Sequence, residues 1–295
     1  MLNKFELLMP GTLNEALTQY AELGSKCKIL AGGTDVLVEM HGGRRYYSLL
    51  MDIKNLEELK GVEYTPRKGL AIGALTTHRC LEQMPVIKEK YPALYDGVSQ
   101  VGCVQTRCRG TIGGNICNAV PSGDTLGPLL ALNAHLILQS TKGIREIPFE
   151  EFFLGPKKTV LESGELLIKI LIPPSVPNSS SAYTKFTRRK AMDLALLGAT
   201  VSIASMDGKT CDNVRVSLTT AAPTVMRAKK TEEFLIGKEL TEKMMKEAGE
   251  IASAEAKPRS SWRSTEEYRR EVLKAIVPRT IAAALERVQK GVAHP

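Results

Sequence analysis

Two glycine pairs, Gly32-Gly33 and Gly113-Gly114, each follow an apolar or buried-type segment and each lead into small polar residues. The first lies in Leu30-Ala31-Gly32-Gly33-Thr34-Asp35-Val36-Leu37, the second in Arg109-Gly110-Thr111-Ile112-Gly113-Gly114-Asn115-Ile116-Cys117-Asn118. Paired glycines let a backbone turn sharply and present successive N–H groups inward. Such a nest binds phosphate oxygens without cationic side chains. Thr34 adds a hydroxyl donor to the first loop, and the second repeats the device with polar residues suited to a ribityl or phosphate group. One such loop alone is ordinarily just a turn. Two suit a long ligand with a pyrophosphate in its middle, a shape FAD has and a mononucleotide lacks. Neither loop reads GxGxxG or GxxxxGK[ST], so neither a Rossmann nor a P-loop reading is supported.

The flanking sequence is that of a mixed helix and strand protein. Leu13, Ala16, Leu17 and Tyr20 recur at helical spacing, with Thr12 and Glu15 as a capping box. Short strands are expected at 27–31 and 49–53, and Val36 opens a further apolar stretch. Strands 62–64 and 70–74 flank a turn at 66–69. Residues 78–102 read as helical, broken at Tyr91-Pro92. A loop is expected over 110–128, then a helix passing into a strand over 129–139. A strand covers 166–172. The stretch PPSVPNSSS at 173–181 has no apolar period and reads as a linker and domain boundary. Strands at 201–204 and 214–218 follow, then helices at 231–256 and 264–290, the second with a capping box of Ser264 and Glu267. The expected architecture is therefore α+β: residues 1–175 in two lobes, about 1–58 and 59–175, then a domain over 182–295.

Composition removes several classes. At 43% hydrophobic and 24% charged the chain is globular, and no apolar run nears the roughly 20 residues that span a bilayer. The segment Met1 to Glu6 lacks a signal core, so a cytoplasmic protein is expected. The net charge of +8 is spread out, and aromatics are only 5%, too few for a row of base-stacking platforms, so nucleic acid is not the expected partner. Cys103, Cys108 and Cys117 match no common zinc spacing, and no metal ligand set is expected. His41, His78, His135 and His294 are scattered, and structural or surface roles suit each of them better than catalysis.

AGGTDVL at 31–37 and TIGGNICNA at 111–119 together resemble the FAD-binding medium subunits of the xanthine dehydrogenase and carbon monoxide dehydrogenase family of molybdenum hydroxylases. Further similar stretches are Ile72 to Thr77, Gly102 to Arg107, Tyr183 to Arg189 and Asp193 to Ala195, so the resemblance runs in order along nearly the whole chain. It implies a two-lobed FAD-binding domain of the vanillyl-alcohol-oxidase-like type followed by an α+β C-terminal domain. Ser260 to Arg263 is most similar to the flavin subunits of bacterial xanthine dehydrogenases. Where the family often has Gly-Ser-Pro-Gln-Ile-Arg, this chain has Gly102-Cys103-Val104-Gln105-Thr106-Arg107, matching at Gly102, Gln105 and Arg107. The cysteine-rich insert of some relatives is missing between Pro121 and Leu129.

The resemblance implies a set of FAD contacts: Leu30, Ala31, Gly32, Gly33, Thr34, Asp35 and Val36 around the pyrophosphate. Thr111, Gly113, Gly114 and Asn115 hold the ribityl and diphosphate region, Gly73, Ala74 and Thr77 line the flavin side, and Gly102, Gly110 and Asn118 are further implied FAD contacts. Asp124 reaches the ribose or adenine end, and Lys185 sits near the flavin ring. No catalytic acid or base is implied, because the cofactor carries the chemistry. A molybdenum-binding large subunit and a small subunit with a 2Fe–2S cluster are the implied partners, in a dimer of heterotrimers, with NAD taking the electrons and xanthine or another purine as substrate. Another heterocycle or CO is the alternative substrate. A stand-alone flavin oxidase needs an aromatic-rich cap for which one Trp and six Phe leave little material. A basic binding module without cofactor is the reading from another class.

Overall fold

The computed structural model describes residues 4–292. The chain starts with β1 (Glu6–Leu8), α1 (Leu13–Leu23), β2 (Lys28–Leu30), α2 (Val36–His41) and β3 (Leu49–Asp52). The three strands form a parallel sheet in the order β1-β3-β2, and α1 packs its apolar stripe, Ala16 and Leu17, into a core with Met51, Leu56 and Leu59. The Thr12 hydroxyl accepts from Glu15 N–H at 3.2 Å, while the Glu15 carboxylate accepts from Gly11 N–H at 2.7 Å, so the expected capping box forms with its return bond one residue early.

The second unit comprises β4 (Val62–Thr65), β5 (Gly69–Gly73), α3 (His78–Gln83), α4 (Pro85–Lys90), α5 (Pro92–Ser99), α6 (Val104–Arg109), α7 (Ile112–Asn118), α8 (Leu126–Ala131), β6 (His135–Ser140), β7 (Gly143–Pro148), β8 (Phe153–Gly155), β9 (Lys158–Thr159) and β10 (Leu166–Ile172). Its main sheet is antiparallel, β4-β5-β10-β6-β7, and β8 pairs with β9 apart from it. Leu70, Ile72, Leu136 and Ile170 of the sheet meet Leu81, Leu94, Ile112 and Leu129 of the helices in a core of their own. Leu75 and Leu166 cross into the first core instead, which joins the two units.

The last unit comprises β11 (Ser179–Phe186), β12 (Leu197–Ala204), β13 (Asn213–Thr219), β14 (Met226–Arg227), α9 (Lys229–Leu235), α10 (Glu242–Glu255) and α11 (Glu266–Val292). An antiparallel sheet β11-β12-β13-β14 carries α10 and α11 on one face, around Leu197, Val201, Leu218, Leu273 and Ile281. It is fastened to the second unit by Arg287, whose guanidinium grips the Asp96 carboxylate at 2.8 and 3.1 Å, and by Ser217, which donates to the Gly127 carbonyl at 2.7 Å. Among the described residues no helix is long and apolar enough to cross a membrane.

Several expectations need correction. Residues 110–128 are not one loop: α7 covers 112–118 and α8 begins at 126, with irregular chain at 110–111 and 119–125. Gly113 there serves packing against Ala74. The helix expected over 78–102 breaks at Met84-Pro85 as well as at Tyr91-Pro92, because each proline starts a new helix where its missing N–H costs nothing. The linker ends early, since Ser179, Ser180 and Ser181 already pair with β12. The helix expected over 231–256 is two helices, with Gly237 at φ 75 between them. Thr265, not Ser264, caps α11 by accepting from Tyr268 N–H at 3.2 Å. His294 lies outside the described residues.

Candidate functional site

The first glycine loop joins β2 to α2, and Leu30 ends the strand buried, its carbonyl accepting from Ile53 N–H. Gly33 has φ 76, in the left-handed region that favours glycine. Among the described residues the N–H groups of Gly32, Gly33, Thr34, Asp35 and Val36 donate to no protein acceptor. Five successive free amides around a left-handed glycine make a concave anion nest.

The second loop lies directly against the first. A Cβ on Gly32 would stand 2.0 Å from the Arg109 carbonyl oxygen, and one on Gly110 would stand 3.5 Å from the Thr34 hydroxyl. Gly32 is thus required by close approach of two backbones. Residues 110–112 are pinned to the 74–78 segment: Gly110 accepts from His78 N–H, Ile112 donates to Thr76, and Thr77 bridges Thr111.

The two loops differ in what their amides do, so the second does not repeat the device of the first. Gly113 N–H donates to the Ala74 carbonyl at 2.9 Å, Gly114 N–H to the Thr111 hydroxyl at 3.0 Å, and Asn115 N–H to the Thr111 carbonyl at 3.0 Å. Its glycines serve packing: a Cβ on Gly113 would meet the Ala74 carbonyl at 2.6 Å and one on Gly114 the Thr111 hydroxyl at 2.8 Å, while in β5 a Cβ on Gly73 would meet the Leu59 carbonyl at 2.5 Å. What this loop still offers is side-chain donors. Thr111 caps α7 as acceptor and keeps its hydroxyl proton. Asn115 accepts from the Thr125 hydroxyl at 2.7 Å through Oδ1, which leaves its amide NH2 free.

Desolvation raises the Asp35 carboxyl above its usual value, with nearby Glu39 adding to it and Asn118 opposing it. Thr77 caps α3 by accepting from Cys80 N–H at 3.2 Å. A cleft of about 330 Å³ opens beside Thr76, Thr77 and Thr111, with Lys54, Lys60 and Arg109 on its walls.

At the far end of α7, Asp124 is buried and accepts from the Tyr183 hydroxyl at 2.9 Å and from Lys185 Nζ at 2.8 Å. Burial pushes the Asp124 carboxyl up, against the pull of Lys185. Lys185 also donates to the Gln100 carbonyl at 3.0 Å, and the Gly102 carbonyl accepts from Met192 N–H, so Gly102 belongs to this end as well. Asp124 and Lys185 were expected at opposite ends of an extended ligand. At 2.8 Å they can serve only one end. The nest lies against Gly110 and near Thr111, and Asn115 meets Thr125, the neighbour of Asp124.

Some contributors escaped the sequence reading. His78 is buried with Nδ1 unpartnered among the described residues, its ring against Gly110; burial, then the charge of Arg107, lowers it to about 4, so the imidazole is neutral. Arg107 braces the second loop from behind, holding the Glu82 carboxylate at 3.0 and 3.2 Å and the Val101 carbonyl at 3.1 Å. Tyr183 opens the stretch 183–189, where nothing local marks it as a site residue. Its role depends on a contact with Asp124, 59 residues away in sequence, which no local pattern encodes.

These residues fit FAD. A nest for two phosphates, hydroxyl and amide donors beyond it, and a lysine at the end suit a dinucleotide with a ring that becomes anionic. Residues 3–175 match the model of a family described as the FAD binding domain in molybdopterin dehydrogenase, and residues 158–284 that of the CO dehydrogenase flavoprotein C-terminal domain. The chain is 32% identical to the putative xanthine dehydrogenase FAD-binding subunit of Escherichia coli, covering 93% of this chain and 94% of that one. It is also 32% identical to the carbon monoxide dehydrogenase medium chain of Hydrogenophaga pseudoflava, covering 96% and 98%. A solved structure of carbon monoxide dehydrogenase from that organism superposes with a TM-score of 0.93 over 97% of this chain and 99% of that one.

Proposed function

Because the chain belongs to the FAD-binding flavoprotein subunits of molybdopterin dehydrogenases, and so is one oxidoreductase subunit of a larger enzyme, we propose that it passes electrons from a 2Fe–2S partner to NAD during oxidation of xanthine or a related purine. The observation that carries the flavin part of this reading is the row of free amides from Gly32 to Val36, closed over by Gly110 and followed by the unspent donors of Thr111 and Asn115.

Bound FAD supplies the redox chemistry, taking electrons singly and releasing them as a pair. The amides of 32–36 and the Thr34 hydroxyl bind its pyrophosphate. Ala31, Thr77, Thr111, Gly114 and Asn115 guide the chain of the ligand along α7. Leu30, Gly73, Ala74, Gly110, Gly113 and Asn118 act from behind, fixing the backbone that the ligand meets. Gly102, Asp124 and Lys185 serve the ring end, where Lys185 holds a fixed cation beside developing negative charge and Asp124 with Tyr183 aims it.

In this reading residues 1–175 bind the cofactor, in lobes of about 1–58 and 59–175, and residues 182–295 form the C-terminal domain. A large subunit carries the molybdenum centre and the substrate, a small subunit the 2Fe–2S cluster, and two such heterotrimers pair in the cytoplasm. The purine assignment is supported by the Escherichia coli relative and the Ser260 to Arg263 segment. Equal identity to the carbon monoxide dehydrogenase chain favours CO as the second reading. The test is spectroscopic, on the protein purified with its native partners. Xanthine bleaches the flavin absorption without oxygen, and NAD restores it. Bleaching by CO instead moves the substrate, and failure of NAD to restore the spectrum moves the acceptor.

A further inference from the structure

Two of the six cysteines open onto one cleft. Cys80 stands in the first turn of α3 and Cys108 in the last turn of α6, and both are exposed. Both line the cleft of about 330 Å³ beside Thr76, Thr77 and Thr111. A shared seam brings their helices together. Thr77 bridges Thr111 in antiparallel fashion, and His78 N–H donates to the Gly110 carbonyl at 3.0 Å. Cys80 lies three residues after Thr77 and Cys108 three before Thr111, so the two are equally far along the chain from the bridge, one on each helix. Farther along, Glu82 holds the helices side by side: its carboxylate accepts from Arg79 of α3 at 2.8 Å and from Arg107 of α6 at 3.0 and 3.2 Å. The Arg79 guanidinium, next to Cys80 in sequence, lies within electrostatic reach of Cys108.

The other thiols are placed differently. Cys27 and Cys211 are buried, and burial pushes the Cys117 thiol up to about 12. Cys103 precedes α6, at the end away from Cys108, and hydrogen bonds with Thr106 at 3.3 Å.

The walls of the cleft select what can reach the pair. Lys54, Lys60 and Arg109 line it. Asp52 holds Lys54 and Glu57 holds Lys60, which leaves Arg109 as the unpaired cation of the wall among the described residues. A guanidinium beside threonine hydroxyls suits a carboxylate-bearing small molecule, and the volume is that of a small-molecule site.

We propose that Cys80 and Cys108 form a redox site, in which an anionic low-molecular-weight disulfide enters the cleft and thiol–disulfide exchange closes a Cys80–Cys108 bond between α3 and α6. One cysteine thiolate attacks the small disulfide, forming a mixed disulfide and releasing one small thiolate. The other cysteine thiolate attacks that mixed disulfide, closes the Cys80–Cys108 bond and releases the second. The chain gives up two electrons and two protons, and the small disulfide takes both and leaves as two thiols. A bond at an exposed position is readily reduced again, which makes the site reversible. The seam it locks, 76–78 against 110–112, carries the second glycine loop, so the oxidised chain releases FAD more slowly; this last consequence alone rests on the flavin reading above.

The test begins with glutathione disulfide and the full chain. Trapping free thiols and mapping the peptides by mass gives a Cys80–Cys108 crosslink with the loss of two hydrogens, and dithiothreitol reverses it. Cys80→Ser and Cys108→Ser each stop at a mixed disulfide on the cysteine that remains, whereas Cys103→Ser oxidises as wild type does. The oxidised wild type melts about 5 °C higher than the reduced chain. Loaded with FAD, it releases the cofactor at least threefold more slowly, and the two serine variants at 80 and 108 show neither change. Thiols that stay reduced, or that end as separate mixed disulfides on both cysteines, overturn the proposal. So does a crosslink that alters neither melting nor FAD release, or an assembled enzyme in which the partner subunits shield both thiols. A chain that crosslinks and melts higher but takes up no FAD removes the flavin reading and leaves the thiol site standing.

Discussion

Lys185 Nζ sits 2.8 Å from the Asp124 carboxylate with both side chains under 10% exposed, and the pair spans two units of the fold. A buried charge stripped of its partner costs about 3–5 kcal/mol. Lys185→Met is therefore expected to lower unfolding free energy by roughly that amount. Adding Asp124→Leu recovers much of the loss, because no orphaned charge remains. Urea unfolding of the two variants against wild type checks it, and a double variant as unstable as the single one contradicts it.

His78 makes stability depend on pH in a defined window. Its imidazole is held neutral, with the proton affinity lowered from 6.5 to about 4 by burial and then by Arg107. The unfolded chain binds a proton there that the native chain refuses. The stabilising contribution is thus complete above 6.5 and is lost as pH falls toward 4. A shift of that size corresponds to about 3 kcal/mol. Between pH 7 and pH 4, wild type is expected to lose about 3 kcal/mol more than His78→Asn, read from urea midpoints at the two pH values.

Glycine substitutions separate close approach from open space. Gly32→Ala drives a methyl group into the Arg109 carbonyl at 2.0 Å, so the two loops must part. FAD retention is expected to fall at least tenfold, and the melting temperature with it. Gly155→Ala meets nothing within 4 Å and is expected to change neither. Flavin content per chain and thermal melts of both variants decide it.

Thr111 is the only side-chain acceptor for Gly114 N–H among the described residues. Thr111→Ala removes the cap of α7 and is expected to cost about 1 kcal/mol. Thr111→Ser restores the cap and most of the stability, as read from melting curves.

The sequence marks both loops, the strand at 166–172 and the cap at Thr12, because glycine pairs, apolar runs and capping residues are local signals. It misleads at 110–128. Glycines dense enough to suggest a loop are there because α7 packs its backbone onto Ala74, a contact invisible without the fold. It also makes the loops look alike, although only the first keeps its amides free. The pairing of Asp124 with Lys185 depends on β11 docking beside α8, and the brace of Arg107 on Glu82 depends on α3 meeting α6. Such long-range contacts leave no periodic trace. The residues were legible as chemistry, but not as neighbours.

The central claim is that this chain is built around FAD, and the most direct measurement is the absorption spectrum of the purified full-length protein, with mass identification of whatever denaturation releases. The account predicts about one FAD per chain, after reconstitution if necessary, and its loss in Gly32→Ala. A folded chain that carries no flavin and takes up none when FAD is supplied contradicts it.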